Sequence, residues 1–208
     1  MLKLSGGVNP GMKDFKKFIE SRLKTIEKAI FELQQSLDSE TKSSAGDKHE
    51  TGRAMLQIEL EKNNNKLNFI FKWLKKFDIG DKIQTKTHQG SYLWAEITKN
   101  QKQYHISDLG LGITQLIPII IYTADYLGSN KLLFIEEPGI HLHPSLQSKL
   151  ADFVYSSIQQ NIKFVFETHS VYFLRKLEVY MSNSREKPLD NNNTRVYYIC
   201  RILFLLLL

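Results

Sequence analysis

The first third of the chain carries apolar residues at helical spacing. Between residues 12 and 40 they recur every three or four positions, as in one long amphipathic helix; they are Phe15, Phe18, Ile19, Leu23, Ile26, Ala29, Ile30 and Leu33. A polar stretch over residues 38–47 separates this pattern from a second one, which begins near Ala54 and reaches Leu74. Two long helices joined by a short polar turn predict an antiparallel helical hairpin.

The middle of the chain alternates apolar and polar residues with a period of two. Gly80 ends the second helical pattern, and residues 83–87 and 92–97 alternate on either side of a polar turn. This arrangement predicts a β-hairpin, and residues 104–106 predict a further short extended segment.

From residue 108 onwards, strand and helix patterns alternate. Helices are predicted at 113–127, 145–160 and 171–181, and strands at 132–135, 163–167 and 195–199. Alternation of this kind predicts an α/β unit, in which helices cover a parallel sheet. The predicted fold is therefore α/β, with an antiparallel α-helical hairpin before the sheet.

The strand at 132–135 ends abruptly in two carboxylates, Glu136 and Glu137, followed by Pro138. A buried parallel strand delivers such residues to its carboxyl edge, where α/β folds place their chemistry. Hydrophobic residues followed by adjacent acids match the Walker B pattern of P-loop NTPases, in which one acid supports Mg²⁺ and the next polarises the attacking water. The alternative is a core strand whose acids begin a solvated loop.

Two further segments flank this strand at regular distances. Residues 108–115 place Gly110 and Gly112 before a helix, where backbone N–H groups can approach an anion, although such loops are common in other roles. The strand at 163–167 is followed by His169, which is also compatible with a hydrogen-bonded histidine at a strand end.

Taken in order, these segments resemble the carboxyl-terminal half of an ABC-type, AAA-like P-loop ATPase, of the class that includes overcoming-lysogenization-defect, RecF and SMC proteins. The wording of residues 135–144, Ile-Glu-Glu-Pro-Gly-Ile-His-Leu-His-Pro, is close to that of the class. The resemblance implies ATP and Mg²⁺ as cofactors. It makes Glu136 the acid that supports Mg²⁺, Glu137 the catalytic glutamate and His169 the switch histidine that contacts the γ-phosphate.

The same resemblance implies a dimer. Gly110, Gly112 and Gln115 correspond to the signature motif, which reaches across to the ATP held by the other subunit, and His141 and His143 lie where a D-loop makes dimer contacts. The partner implied is a second copy or a chain that bears the Walker A phosphate loop. The class further implies a role on DNA or in defence against phage. From the residues alone, His141 and His143 also suggest a metal pair.

One departure from the class concerns the phosphate loop. No Gly-x-x-x-x-Gly-Lys-Ser/Thr segment occurs in the chain, so the element that grips the β- and γ-phosphates is absent from the sequence. We therefore predict that the chain alone neither binds ATP with micromolar affinity nor hydrolyses it. Leu4-Ser5-Gly6-Gly7 spells the transporter signature, but no glutamine follows it and no Walker B strand lies at the right distance.

The hairpin carries a second resemblance. Residues 40–54 are similar to a bacterial family related to the coiled-coil domain of the Gre transcript-cleavage factors, in which Asp47 and Glu50 match the acids that help to hold Mg²⁺ in RNA polymerase. That resemblance implies an alternative function, a non-enzymatic coiled-coil protein that binds RNA polymerase. The two acids also fit a solvated turn or a helix cap.

These patterns divide the chain into a hairpin at 1–65, an ATPase half at 66–201 and an apolar tail at 202–208, which we expect to be truncated or read out of frame. Two explanations of the hairpin remain open. It is either a helical insertion at 12–77, as in SMC-like ATPases, or an unrelated piece joined near residues 63–65.

Composition adds few constraints. The 42% hydrophobic and 24% charged content is that of an ordinary globular protein, and the net charge of +6 permits contact with nucleic acid without establishing it. The single cysteine, Cys200, excludes an internal disulfide and a cysteine-rich zinc site. We see neither a signal peptide nor an apolar run of the roughly 18 to 20 residues that span a bilayer, and predict a cytoplasmic protein.

Overall fold

The computed structural model describes residues 3–4, 12–40, 47–88, 92–129, 131–182, 194–199 and 202–207. The helices are α1 (Met12–Glu40), α2 (Asp47–Lys76), α3 (Leu111–Asp125), α4 (Pro144–Ile158) and α5 (Val171–Ser182). The strands are β1 (Lys3–Leu4), β2 (Lys82–His88), β3 (Tyr92–Lys99), β4 (Lys102–His105), β5 (Leu132–Glu136), β6 (Lys163–Thr168), β7 (Thr194–Ile199) and β8 (Ile202–Leu207). Among these residues, no helix is both long enough and apolar enough to cross a membrane.

Helices α1 and α2 form the predicted hairpin. The apolar stripe of α1 buries Ile19, Leu23 and Ile26, which are at most 3% exposed. Asp47 and Glu50 lie in the first turn of α2, but their side chains and residues 41–46 are outside the described part of the chain. The Gre-like role of these two acids thus stays a prediction.

A three-stranded antiparallel sheet packs beside α1, as the period-two pattern predicted. Strand β3 lies between β2 and β4, and Ile83 pairs with Ile97 in register. Both side chains are buried, at 1% and 0% exposure. Glu27 of α1 accepts hydrogen bonds from the backbone N–H of Thr85, at 3.1 Å, and from its hydroxyl, which joins the sheet to the hairpin.

The second sheet has the strand order β1-β5-β6-β8-β7 among the described residues. Strands β5 and β6 are parallel, as predicted, with Leu133 of β5 opposite Phe164 of β6. Strand β1, which the sequence did not predict, pairs parallel with β5. Strand β8 adds to β6 in the antiparallel sense, and β7 pairs antiparallel with β8. Only two residues separate β7 from β8, too few for the crossover that a parallel pair needs. The parallel arrangement expected for the strand at 195–199 is therefore replaced by a hairpin.

One hydrophobic core serves both the hairpin and the α/β unit. Phe153 of α4 makes an edge-on contact with Trp73 of α2, at 5.0 Å between ring centroids, and lies 5.9 Å from Phe69. Helix α2 also runs without interruption through residues 63–65. The division predicted between residues 65 and 66 falls inside this helix, and it stays a prediction.

Helix α3 links the hairpin to the carboxyl edge of the sheet. Its last residue, Asp125, lies 2.5 Å from Arg22 of α1 and 3.6 Å from Lys66 of α2, with its side chain 7% exposed. Most of the helix is apolar and buried, so it packs on more than one side. Its first turn lies within the glycine-rich segment at 108–115, and Gly112 in that turn packs against the loop after β5.

Candidate functional site

The two acids predicted to act together lie where β5 ends. Glu136 is the last residue of the strand and pairs in register with Glu167 of β6. Glu137 follows in the left-handed region, with a φ of 46°, and its backbone N–H donates to the carbonyl of Glu167 at 2.7 Å. A non-glycine residue holds this conformation only where its surroundings fix it, and such positions cluster at functional sites.

Glu137 and His169 meet across the ends of the two strands. Glu137 Oε1 lies 3.4 Å from His169 Nε2, and Glu137 Oε2 accepts a 3.4 Å hydrogen bond from the backbone N–H of His169. The carboxylate is 25% exposed and the imidazole 60%. Oε1 is itself buried and accepts no hydrogen bond from the described residues. The two residues that the sequence singled out thus come together at the ends of β5 and β6.

The residues around Glu136 indicate what kind of Mg²⁺ site it could form. Carboxylate oxygens are the protein ligands that Mg²⁺ prefers, and it normally takes only one or two of them together with waters and substrate phosphates. No group of three or more metal-ligating side chains occurs among the described residues. Two strand-end carboxylates, Glu136 and its neighbour Glu167, fit a Mg²⁺ ion that is bound with a nucleotide. They do not fit a metal held by the protein alone.

The two histidines of the loop have separate structural positions. His143 caps α4, because its Nδ1 accepts from the backbone N–H of Ser145 at 3.3 Å and lies 2.8 Å from the hydroxyl of that residue. His141 is exposed and has a φ of 62°. Neither belongs to a group of three metal-ligating side chains in the described part of the chain, so a metal pair gains no support.

Gly110 and Gly112 differ in their surroundings. Gly110 is the exposed N-cap of α3, and a Cβ added there would meet no atom within 4 Å. A Cβ on Gly112 would lie 2.4 Å from the carbonyl oxygen of His141. Close packing against the loop after Glu137 therefore explains Gly112, while Gly110 faces open space. Gln115 lies half-buried in the second turn of the helix. The signature role of all three stays a prediction.

Gln147 is the residue that the sequence did not single out. Its Nε2 donates to the carbonyls of Gly139, at 3.1 Å, and Leu142, at 3.0 Å, while its Oε1 accepts from the hydroxyl of Ser170 at 2.7 Å. One side chain of α4 thus contacts both the loop after Glu137 and the residue after His169. In the sequence, nothing distinguishes a glutamine that makes such contacts from a solvent-exposed glutamine in the first turn of a helix.

Exposed apolar side chains flank the acids and the histidine. Ile140, in the loop after Glu137, is 45% exposed, and Val171 and Tyr172, just after His169, are 55% and 56% exposed. Clusters of this kind beside a polar site are typical of surfaces that another molecule covers.

Comparison with known proteins identifies the family. The model of the AAA ATPase domain matches residues 7–174, which include the hairpin, the three-stranded sheet and strands β5 and β6. No curated protein matches the sequence. Among solved structures, one from work on ATP-driven dimerization and DNA-stimulated activation of SMC ATPases is 11% identical, with a TM-score of 0.47 over 73% of this chain and 88% of that one.

A second solved structure is the Smc head domain with an extended coiled coil bound to the C-terminal domain of ScpA, derived from Pyrococcus furiosus. It is 13% identical, with a TM-score of 0.40 over 80% of this chain, which spans 50% of that structure. The family assignment rests on the domain match, which covers well over half of the sequence. The chain belongs to the AAA ATPase domain family.

Proposed function

We propose that this chain supplies the water-activating half of an ATP-hydrolysing site, whose phosphate-gripping half comes from a partner. The observation that carries the proposal is the carboxylate of Glu137, held between the ends of β5 and β6 within 3.4 Å of His169 Nε2. A carboxylate and an imidazole at the carboxyl edge of a parallel sheet suit phosphoryl transfer to water.

In this proposal Glu137 is the general base. Its carboxylate is 25% exposed at the strand ends, so it can accept a hydrogen bond from the attacking water and orient it. His169 is more exposed and can donate from its imidazole to charge that develops on the transferred phosphoryl group. Partial burial of the Glu137 carboxylate strengthens its interaction relative to one in water.

Glu136 is proposed to hold Mg²⁺ through its carboxylate. The ion, when bound, neutralises charge on the β- and γ-phosphates. In the chain itself, the end of β5 fixes Glu136 one residue before the base, so the metal ligand and the base share one rigid strand end.

The partner is proposed to be a second copy or a chain with a phosphate loop. The sequence contains no Gly-x-x-x-x-Gly-Lys-Ser/Thr segment, and Gly110 opens the amino terminus of α3 to solvent, where backbone N–H groups favour an anion. Gly112 and Gln115 would complete this signature segment. The exposed side chains of Ile140 and Tyr172 support a covering partner. DNA stays a predicted partner, supported by the class resemblance and by the net charge of +6.

The test measures phosphate release from ATP and Mg²⁺ by the purified chain, alone and mixed with a family member that has an intact phosphate loop. We expect release only in the mixture, and a loss of at least about 100-fold with Glu137→Gln, because a general base contributes about 10² to 10⁴ in rate. Glu178→Gln, on the exposed surface of α5, is the control.

Two results would contradict the proposal. Robust hydrolysis by the chain alone, lost in Glu137→Gln, would remove the need for a partner. Hydrolysis in the mixture that survives Glu137→Gln would remove Glu137 from the role of base.

A further inference from the structure

The amide of Gln147 joins two loops that each carry one member of the Glu137–His169 pair. We propose that Gln147 is a positioning residue, which sets the distance between the Glu137 carboxylate and the His169 imidazole without touching the substrate. The effect of Gln147 on catalysis rests on the proposed function. Its restraint of the two loops rests only on its own hydrogen bonds.

On the side of Glu137, Gln147 fixes a loop of two tight turns. The N–H of Ile140 donates to the carbonyl of Glu137, and the N–H of Leu142 to the carbonyl of Gly139, both at 3.1 Å. Gln147 Nε2 directs its two N–H donors at the carbonyls of Gly139 and Leu142, at 3.1 and 3.0 Å. Since Glu137 and His141 both have positive φ, this loop needs such an external restraint.

On the side of His169, Gln147 fixes the start of α5. Its Oε1 accepts from the hydroxyl of Ser170, at 2.7 Å. The same hydroxyl oxygen accepts from the N–H of Phe173, at 3.1 Å, and so caps α5, while the N–H of Ser170 donates to the hydroxyl of Thr168. Ser170 is therefore held from three directions, and His169 lies directly before it.

The residues around Gln147 are closely packed. A Cβ added to Gly139 would lie 3.3 Å from Ser170 Cβ and 3.5 Å from Gln147 Cγ. Further along the two helices, the stacked rings of Tyr155 and Tyr180, at 4.1 Å, hold α4 against α5. Gln147 thus projects from a helix that is itself fixed relative to the histidine loop, as a positioning residue requires.

Loss of the Gln147 side-chain amide is expected to affect turnover more than substrate affinity. Misplacement of a reacting group by about 1 Å can cost about 100-fold in rate, whereas Gln147 contacts no substrate in the proposed mechanism. Gln147→Ala should lower kcat by about 10- to 100-fold and change KM for ATP by less than about threefold. Gln160→Ala, two residues past the end of α4 and with one local bond to the carbonyl of Ser156, is the control.

The experiment has two arms, both on the full chain. Steady-state hydrolysis is measured in the mixture with the phosphate-loop-bearing partner, and amide hydrogen exchange of Ile140 and Leu142 is measured on the chain alone. The inference is supported if Gln147→Ala shows both the loss in kcat and faster exchange at the two amides. Gln160→Ala should show neither effect. A kcat within twofold of wild type overturns the positioning role.

The exchange arm separates this inference from the proposed function. If the wild-type mixture shows no hydrolysis, the proposed function fails, and exchange alone then decides whether Gln147 restrains the loop. Unchanged exchange at Ile140 and Leu142 in Gln147→Ala overturns the inference whatever the activity. Gln147→Glu gives a further check, because it keeps an acceptor for Ser170 but loses both donors to the loop, and it should reproduce the kcat loss.

Discussion

Glu137 Oε1 lies 3.4 Å from His169 Nε2, although 32 positions separate the two residues in the sequence. The parallel pairing of β5 and β6 brings them together, since Glu136 and Glu167 are opposite one another at the strand ends. The left-handed backbone at Glu137 then turns its side chain towards the histidine loop. The contact thus depends on sheet register and on one unusual backbone conformation.

The left-handed conformation of Glu137 predicts that glycine is more stable than alanine at this position, the reverse of the order expected inside a helix. At Glu137, with a φ of 46°, Glu137→Gly should be more stable than Glu137→Ala by about 1 kcal/mol, because glycine avoids the steric cost of a Cβ in this region. At Glu178, inside α5, glycine should be less stable than alanine by about 1 kcal/mol. Urea unfolding of the four variants measures both differences. The same sign at both positions would contradict a strained Glu137.

The contact between Gly112 and His141 predicts a second difference between variants. Gly112→Ala would place a Cβ 2.4 Å from a backbone oxygen, so we expect a loss of about 1 to 3 kcal/mol in the free energy of unfolding. Gly110→Ala, with no atom within 4 Å of the added Cβ, should lose less than about 1 kcal/mol. Equal losses in urea titrations would show that the segment does not pack against the loop.

The ion pairs of the buried Asp125 carboxylate join α3 to the hairpin, and we expect them to contribute to the free energy of unfolding. Its partners are Arg22, with the side chain 44% exposed, and Lys66, 18% exposed, so the pair is screened less than a surface pair but is not fully buried. Asp125→Ala should cost about 1 to 3 kcal/mol, below the range for a fully buried pair. Glu32→Ala, which breaks the exposed pair with Lys28, should change stability by less than about 0.5 kcal/mol. Equal effects of the two substitutions on urea unfolding would show that the link adds nothing to stability.

Glu20 of α1 predicts a pH dependence. Burial raises the pKa of Glu20 above its ordinary value of 4.5, against the attraction of His105, the hydrogen bond from the backbone of Ala95 and the attraction of Lys16. The folded state therefore binds this proton more tightly than the unfolded state. Its contribution to stability is present below the unfolded pKa and is lost as the pH rises through the raised folded pKa.

Glu20→Gln removes this titration. The Tm of the variant relative to wild type should rise between about pH 4 and pH 7, because only wild type carries the cost of ionising Glu20. Gln34→Ala, at an exposed position of the same helix, removes no titratable group and should show no such trend. A constant Tm difference for Glu20→Gln across this pH range would show that burial does not control the ionisation of Glu20.

Local patterns predicted the elements well where periodicity alone defines them. The apolar spacing of 12–40 gave the bounds of α1, and the run ending in Glu136 and Glu137 gave β5 and the position of the acids. The approach of His169 to Glu137 agrees with the rule that parallel strands share a carboxyl edge, while its role was implied only by the family resemblance. These features depend on residues close in sequence or on a general rule of topology.

Other features depend on contacts that local patterns do not encode. Gln147 bonds to residues 8 and 23 positions away, so its role appears only in the folded chain. The glycine at 112 was interpreted as an anion-binding element, whereas its packing on His141 is a tertiary effect. The sequence predicts an apolar tail at 202–208, and its continuous apolar character gives no indication that residues 202–207 pair antiparallel with both β6 and β7.

The edge-on contact of Phe153 with Trp73 has a consequence for how the chain melts. Because α4 of the sheet unit and α2 of the hairpin bury their rings in one another, neither can leave its place without exposing large aromatic surfaces of the other. The hairpin and the sheet should then lose structure in a single cooperative transition.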